Sequence, residues 1–367
     1  MNIKLIKSVY FSILFAISAC GGGGGGSDGN STNNQSDSPS GNNQEWSIPT
    51  ELIFDGGPGR GGIPSLDDPN FVSIDEMTIM EPNDLIIGIK IGDVVKAYPH
   101  KIMDWHEVAN DIIGEHEYVL SYCPLTGTAI AWGLDENTGN SFFGVSGLLY
   151  NSNLIMFDRV TGSNWPQMLM ESAQGSLRGN EAQNLPLFEM TWDTFTSIYP
   201  EGLVLNENTG FSRNYLDYPY GSYLTNSGLL FEVANIDGRL HPKQRVLGVK
   251  IGEETKAYQI SRFDGDIQII NDTIANSDIV IIGSSNSRMG VAFNRKSNVD
   301  GKLFEFTPIY NKLPIAMEDE EGNQWDINGI AISGARAGEQ LGTVFSYDAF
   351  WFAWAAFFPE TTLSSNN

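Results

Sequence analysis

The segment Gly88-Ile-Lys-Ile-Gly-Asp-Val-Val-Lys-Ala-Tyr98 recurs as Gly248-Val-Lys-Ile-Gly-Glu-Glu-Thr-Lys-Ala-Tyr258. The two copies are 160 residues apart, since 248 − 88 = 160. The same offset, or that offset plus one inserted residue, aligns further pairs: Phe71 with Phe231, Pro82 with Pro242, Trp165 with Trp325, and Asn110-Asp111 with Asn271-Asp272. A repeat at a fixed period indicates an internal duplication.

Each copy has the pattern of short strands joined by tight turns. Two apolar and β-branched segments, residues 85–91 and 94–98, flank a Gly-Asp pair at 92–93. This pattern predicts two strands joined by a tight turn, that is, a hairpin. Further strands are predicted at residues 118–122, 128–132, 141–145 and 154–159, and short helices at 99–108, 192–198 and 347–358. The 40 glycines and 11% aromatic residues also favour strands and turns. We therefore predict a mainly β fold (α+β, with short helices) that duplicates a sandwich-like or barrel-like module.

The N-terminus has the pattern of an exported lipoprotein. Lys4 and Lys7 precede an apolar stretch at residues 9–17, which ends in Ser18-Ala19-Cys20. Residues 1–19 are then a signal peptide and Cys20 carries the lipid; the alternative is an ordinary signal peptide with a coincidental cysteine. Gly21, rather than Asp, implies the outer membrane by the familiar sorting pattern. The Gly/Ser/Asn-rich residues 20–45 predict a flexible tether.

The remaining chain divides into two repeats by the duplication. We predict a first repeat at residues 46–215, a degenerate second repeat at 216–363, and a tail at 364–367. The net charge is −24, and −26 without the two lysines of the signal. So negative a protein repels phosphate, which argues against a nucleic-acid partner. The expected membrane contact is through the lipid on Cys20.

The chemistry-bearing residues are concentrated in the first repeat. The chain has two cysteines, so Cys123 is a lone thiol once Cys20 carries lipid. The second repeat has Ser284 where the first has Cys123 and Ile260 where the first has His100. Residues that both repeats share are expected to be scaffold. Residues found in one repeat are candidates for function, or for drift after the duplication.

Three functional interpretations and one structural interpretation fit this cluster. Cys123, His106 and His100, with Met103 as a further donor, have the chemistry to bind copper or zinc. Alternatively, Cys123 is a nucleophile or redox thiol activated by His106, with Glu107 or Asp111 orienting the imidazole. The third interpretation is a pocket that binds a ligand without catalysis. The structural interpretation is a buried, inert cysteine beside histidines with backbone partners.

A second polar cluster follows the first. Arg159, with Asp158 and Asn151, could hold the carboxylate or phosphate of a substrate. At an offset of 160 the second repeat has Glu318 and Asp319, so the arginine is specific to the first repeat. A structural ion pair between Asp158 and Arg159 is the alternative.

Several of these residues form a pattern that resembles the DUF3179 family of exported bacterial proteins. The resemblance spans about residues 46–358, and its most specific part is Tyr122-Cys123-Pro124-Leu125-x-Gly127. Its other parts are Tyr98-Pro99, His106-Glu107, Asn110-Asp111, Asn151-Ser152, and Asp158-Arg159-x-Thr161-Gly162-Ser163-x-Trp165-x-Gln167, with Pro58, Gly62-Ile63-Pro64, Arg213-Asn214-Tyr215 and Pro219 to Tyr223. The family's function is unknown, so the resemblance implies a residue pattern and no activity. The family pattern has a small or second thiol residue near Thr126, so the resemblance implies no paired-cysteine site in this chain.

Together these observations predict a periplasmic lipoprotein of the outer membrane with one Cys/His site in its first repeat. The predicted chemistry is metal binding, with copper in a redox role or zinc. The alternatives are a metal-free thiol enzyme and a non-catalytic binding or envelope-scaffold protein.

Overall fold

The two repeated segments form equivalent β-hairpins. In the computed structural model, which describes residues 45–365, Leu85–Ile91 pairs with Val94–Pro99 and Arg245–Ile251 pairs with Glu254–Gln259, both antiparallel. Gly92 and Gly252 both have φ of 58° at the turn, a conformation that glycine adopts without steric cost. The predicted hairpin is confirmed.

Most of the remaining regular structure is also β. The strands are β1 Ile53–Asp55, β2 Leu66–Asp67, β3 Phe71–Ser73, β4 Leu85–Ile91, β5 Val94–Pro99, β6 Val108–Ile113, β7 His116–Cys123, β8 Thr128–Gly133, β9 Phe143–Tyr150, β10 Asn153–Asp158, β11 Asn164–Pro166, β12 Asn184–Leu185, β13 Leu187–Thr191, β14 Leu203–Leu205, β15 Arg245–Ile251, β16 Glu254–Gln259, β17 Gln268–Ile274, β18 Ser277–Ser284, β19 Met289–Asn294, β20 Phe306–Pro308, β21 Ile315–Asp319, β22 Gln324–Asp326, β23 Ala331–Ser333, β24 Phe345–Phe350 and β25 Thr362–Leu363. The helices are α1 His100–His106, α2 Trp192–Ile198 and α3 Trp351–Phe357.

The strand order of one half repeats in the other. The first half contains the sheet β13-β4-β5-β14-β3 and the second half β24-β15-β16-β25. In each sheet, the strand that comes last along the chain pairs parallel to the second strand of the hairpin: β14 pairs with β5, and β25 pairs with β16. In the two further sheets of each half, three strands pair in the same order: β6-β7-β8 of the sheet β12-β8-β7-β6-β2 corresponds to β17-β18-β19, and β9-β10-β11 of the sheet β1-β9-β10-β11 corresponds to β20-β21-β22 of the sheet β20-β21-β22-β23. The predicted mainly β class is confirmed. The six sheets formed by residues 45–365 are open, which is compatible with sandwich-like packing, and none of them closes into a barrel.

The hydrophobic core belongs partly to each half and partly to both. One cluster contains buried residues of the first half, such as Tyr98 and Tyr118, and another those of the second half, such as Tyr258. Two further clusters mix the halves, and one of them joins Trp165 with Trp354. The described residues form one compact unit. The repeat boundary at residue 215 stays a prediction.

Two of the three helices lie where the sequence predicts them. Helix α1 forms within the predicted range 99–108, and α2 has the predicted bounds 192–198. The third prediction is wrong at its start, because residues 347–350 belong to β24, which pairs with β15. The apolar run predicted a helix, but strand pairing in the core overrides local propensity. Helix α3 begins at Trp351, and six of its seven residues are buried.

Several predictions concern residues outside the described range. The signal peptide at 1–19, the lipidation site Cys20 and nearly all of the tether at 20–45 precede residue 45, and residues 366–367 of the tail follow residue 365. Within residues 45–365, no helix has the length and apolarity needed to cross a bilayer.

Candidate functional site

Cys123 lies at the end of a central strand, where the chain turns. It is the last residue of β7 and pairs with Thr128, the first residue of β8. Its side chain is 1% exposed, and the thiol faces the Ser152 carbonyl oxygen at 3.9 Å. Burial, together with the nearby Glu107 carboxyl, raises the pKa of the Cys123 thiol to about 11. At neutral pH the thiol is therefore protonated unless a base takes its proton.

Glu107 lies beside the cysteine in a strained backbone conformation. It terminates helix α1 with φ of 60°, a left-handed conformation that a non-glycine residue adopts at a steric cost. Its carbonyl oxygen accepts from Tyr122 N at 2.7 Å, so Glu107 lies across from the residue before Cys123. Burial raises the pKa of the Glu107 carboxyl to about 7 although the Tyr220 hydroxyl donates to Oε1 at 3.0 Å. A carboxyl with this pKa can both accept and return a proton near neutral pH.

Cys123 and Glu107 line one cavity of about 310 Å³. Its walls are mostly apolar, and its other polar groups come from Asp104, Tyr220 and Arg213. Asp104 is partly exposed as a residue and lines the cavity, and desolvation of its carboxyl and the Glu107 charge raise the pKa of that carboxyl well above the usual range. The cavity thus combines a protonated thiol, a carboxyl that titrates near pH 7, and a neutral carboxylic acid.

Segments distant in sequence complete the cavity wall. The hydroxyl of Tyr223 donates to the Leu125 carbonyl oxygen at 2.9 Å, and Ser152 Oγ donates to the Phe231 carbonyl oxygen at 2.9 Å. The glycine-rich loop at residues 56–64 also contributes to the wall and approaches β9 closely. A Cβ on Gly147 would lie 2.7 Å from the Gly59 backbone, so only glycine fits there.

Three of the cavity's polar groups were missed by the sequence analysis. Arg213, Tyr220 and Asp104 received no role, although the first two lie in segments of the family pattern. Asp104 lies on helix α1, three residues before Glu107, which places the two residues about one helical turn apart. That spacing is the signal in the sequence that could have paired the two carboxyls.

His106, predicted to activate Cys123, has other partners. Its Nδ1 lies 2.7 Å from the Pro64 carbonyl oxygen and its Nε2 lies 2.7 Å from the Tyr215 hydroxyl. Burial lowers the pKa of the imidazole below its usual value, although the contact with Pro64 opposes that shift. The histidine therefore connects the glycine-rich loop to the segment around Tyr215, and neither ring nitrogen is directed to the thiol.

The three predicted metal ligands, His106, Cys123 and His100, do not come together. His100 packs its ring on Tyr122, with 4.4 Å between ring centroids, and its Nε2 lies 2.7 Å from Glu189. Met103 is buried in the core of the first half. In the described part of the chain, no three His, Cys, Asp or Glu side chains are grouped closely enough to bind one metal ion.

Asp111, predicted as a supporting residue, lies in a separate buried network. It pairs with Tyr118, five residues before Cys123 on β7, which corresponds to about 16 Å along a strand. Its carboxylate accepts from Lys96 Nζ at 2.8 Å and from the hydroxyls of Tyr98 and Tyr118. Asp272, Lys256 and Tyr258 repeat the network in the second half. Because both halves contain this network, we assign it to the scaffold and not to the site around Cys123.

The predicted substrate-binding residues also have structural partners. Arg159 Nη1 lies 2.6 Å from Asp67 Oδ2 on the partly exposed surface. Asp158 accepts from the backbone of Thr161 and Ser163 and so closes a turn. Asn151 Oδ1 accepts from Ala234 N at 2.7 Å. None of the three lines the cavity that contains Cys123.

Asp158 has a counterpart in the second half, and its position differs by one residue from the one that the offset of 160 predicts. The Trp165 indole nitrogen lies 3.5 Å from Asp158 Oδ2, and the Trp325 indole nitrogen lies 3.0 Å from Asp319 Oδ2. Asp319 is therefore the counterpart of Asp158, one residue later than the offset of 160 places it.

The second half lacks both reactive groups at the equivalent positions. Ser284 pairs with Met289 as Cys123 pairs with Thr128, so Ser284 replaces the cysteine. Gln268 pairs with Gly283, the residue before Ser284, and so takes the place of Glu107. Serine and glutamine are near-isosteric with cysteine and glutamate, and they keep the shape while removing the thiol and the ionisable carboxyl.

Comparison with known proteins identifies a family and no activity. No curated protein and no solved structure matches the chain. A family model described as "Protein of unknown function (DUF3179)" matches residues 60–361. The match covers most of the chain, including Cys123, Glu107 and most of the residues that line their cavity. The chain therefore belongs to the DUF3179 family.

Proposed function

We propose that the protein is a cell-envelope lipoprotein whose first half binds a small, largely apolar molecule and acts on it through the Cys123 thiol. The observation that carries this proposal is the presence of Cys123 and Glu107, a carboxyl with a pKa of about 7, in one cavity of about 310 Å³. Strongly shifted pKa values in a cleft are typical of catalytic groups. The apolar walls favour an uncharged ligand body.

In the proposed step the Glu107 carboxylate accepts the thiol proton while the Cys123 sulfur bonds to an electrophilic carbonyl carbon of the ligand. The electron pair of the carbonyl π bond moves to its oxygen. The neutral Asp104 carboxyl is suited to donate a hydrogen bond to that oxygen, as a carboxylic acid held protonated by its surroundings can do. Reverse transfer, with the proton returning from Glu107 to the sulfur, breaks the carbon–sulfur bond and restores the carbonyl, so the step is a reversible covalent addition of the thiol to the ligand.

Copper or zinc binding, which the sequence favoured, has less support. Ligation by His106 would require one ring nitrogen to exchange the Pro64 carbonyl or the Tyr215 hydroxyl for a metal ion. The thiol and the carboxyl, by contrast, line one cavity, and the Glu107 charge already acts on the pKa of the Cys123 thiol.

The reactivity of Cys123 should rise with pH through about 7 and then level off. The folded-state pKa of Glu107 is raised from 4.5 to about 7, so its carboxylate becomes available as a base only above that pH. In Glu107→Gln we expect no levelling near pH 7 and alkylation by iodoacetamide about 100-fold slower at pH 8. The rate is measured by intact mass between pH 5.5 and 9, with Cys123→Ser as the control for labelling elsewhere.

The same variant separates catalysis from a purely electrostatic effect. The Glu107 charge also raises the pKa of Cys123, so a carboxylate that only repelled the thiolate would leave Glu107→Gln faster than the wild type. A faster variant, or a thiol that reacts only after denaturation, would overturn the proposed chemistry. Because a buried ionised Glu107 lowers stability above pH 7, the glutamine variant should keep or raise the Tm at pH 8.

The localisation gives a second prediction. If Cys20 carries lipid, the wild-type protein should incorporate labelled palmitate and sediment with the outer membrane. Cys20→Ala should lose the label, and any exported product should be soluble in the periplasm, because one cysteine provides the attachment point. Cys123→Ala is the matched control and should stay membrane-bound; equal palmitate labelling of wild type and Cys20→Ala would contradict the anchor.

A further inference from the structure

Where the two halves meet, two equivalent acidic residues converge. Glu189 on β13 pairs with Ile87, and Asp348 on β24 pairs with Leu247, which is Ile87 plus the offset of 160. Glu189 is 2% exposed and Asp348 is 3% exposed. The duplication thus brings two carboxyls from equivalent positions into one buried region.

One guanidinium serves both carboxyls. Arg245 Nη2 lies 2.8 Å from Glu189 Oε2 and 3.2 Å from Asp348 Oδ2. His100 Nε2 also lies 2.7 Å from Glu189 Oε2 but without hydrogen-bond geometry, and burial lowers the pKa of this imidazole. At neutral pH the region therefore has one positive charge for two acids.

Because one guanidinium serves two acids, the pKa values of the two carboxyls shift in opposite directions. Burial opposes ionisation of Glu189, but the Arg245 guanidinium lowers its pKa overall. Burial and the charge of Glu189 raise the pKa of Asp348 well above its usual range, against the opposing effect of Arg245. Asp348 is therefore the acid without a full counter-charge.

Each carboxyl has one oxygen without a partner, and both residues line the same cavity. Glu189 Oε1 and Asp348 Oδ1 are buried and accept no hydrogen bond. The cavity has a volume of about 180 Å³, and its wall includes the apolar Phe188 and Leu247 and the amides of Asn328 and Gln340. Buried acceptors without donors are costly, so a site of this kind favours a ligand that supplies N–H groups.

We propose that this cavity binds a small organic cation with N–H donors, of the primary ammonium class. Such an ion carries the one positive charge that the two carboxyls lack, and its three N–H groups are donors of the kind that the two free oxygens lack. Lys90, also in the wall, donates its ammonium group to the Gly92 carbonyl oxygen at 2.9 Å and so does not serve the carboxyls. The site is distinct from the Cys123 cavity and needs none of its residues.

Calorimetric titration of the purified protein with methylammonium tests the proposal. We expect saturable 1:1 binding at pH 7 with release of close to one proton, because Asp348 must ionise to pair with the cation. Proton release is measured in buffers of different ionisation enthalpy. The other titratable or charged groups around Asp348 are Glu189, Arg245, His100 and Tyr122. Asp348→Asn should bind about 10–100-fold more weakly and release no proton.

Matched ligands and variants make the result decisive. Tetramethylammonium has the charge without N–H donors and should not bind. Asp348→Asn imitates the neutral acid, so its Tm should equal that of the wild type, and Cys123→Ser should bind methylammonium normally. No methylammonium binding at millimolar concentration, equal binding by Asp348→Asn, or binding of potassium or calcium in its place would overturn the proposal.

Discussion

Replacing Arg245 with leucine is expected to lower the free energy of unfolding by about 3–5 kcal/mol. Leucine is the residue at the equivalent position of the first half, Leu85, at the start of β4 as Arg245 is at the start of β15. The substitution therefore suits the strand. The loss arises because Glu189 and Asp348 stay buried while their shared guanidinium is removed.

The measurement is urea denaturation at pH 7, compared with the exposed pair of Arg178. Arg178 Nη1 lies 3.9 Å from Glu45, and Arg178→Leu should change stability by no more than about 0.5 kcal/mol. Neutralising the acids in Arg245→Leu/Glu189→Gln/Asp348→Asn should recover most of the loss. The loss should also shrink on acidification, because protonation removes the unpaired charges. If Arg245→Leu alone were as stable as the wild type, the guanidinium would not be needed to stabilise the two buried carboxyls.

The duplication explains why so much of the fold could be predicted from one sequence. A hairpin that occurs twice gives two independent observations of the same strand register and turn, and both were confirmed. The end of the chain was predicted less well, because the apolar run at residues 349–358 begins in strand β24 and continues through helix α3. Local pattern does not separate a buried strand from a buried helix.

The candidate site was predicted in part. Cys123 and Glu107 lie together because β6 and β7 are adjacent strands, a local arrangement that the sequence suggests. The contributions of Arg213 and Tyr220 come from a segment about 90 residues further along the chain, and no local pattern shows where it packs. His106 was assigned to the cysteine because both are near in sequence and reactive in type. Its actual partners, Pro64 and Tyr215, are distant in sequence.

Asp111 shows how the internal repeat separates scaffold from function. It aligns with Asp272, so the expectation that residues shared by both repeats are scaffold applies to it from the sequence alone. The prediction that Asp111 supports Cys123 rests on its residue type and its nearness in sequence, and the alignment with Asp272 argues against it. The two networks differ in burial, with Asp111 at 1% and Lys96 at 11% side-chain exposure against 13% and 21% for Asp272 and Lys256.

That difference predicts unequal effects of one substitution made in each half. Asp111→Asn should cost about 3–5 kcal/mol, because Lys96 is left as a buried cation without its counter-charge. Asp272→Asn, which removes the same contacts nearer to solvent, should cost about 1 kcal/mol. Both are measured by urea denaturation at pH 7, and the alkylation rate of Cys123 below the transition should be unchanged in both variants. Equal losses would contradict burial as the cause, and a selective loss of Cys123 reactivity in folded Asp111→Asn would return Asp111 to the site.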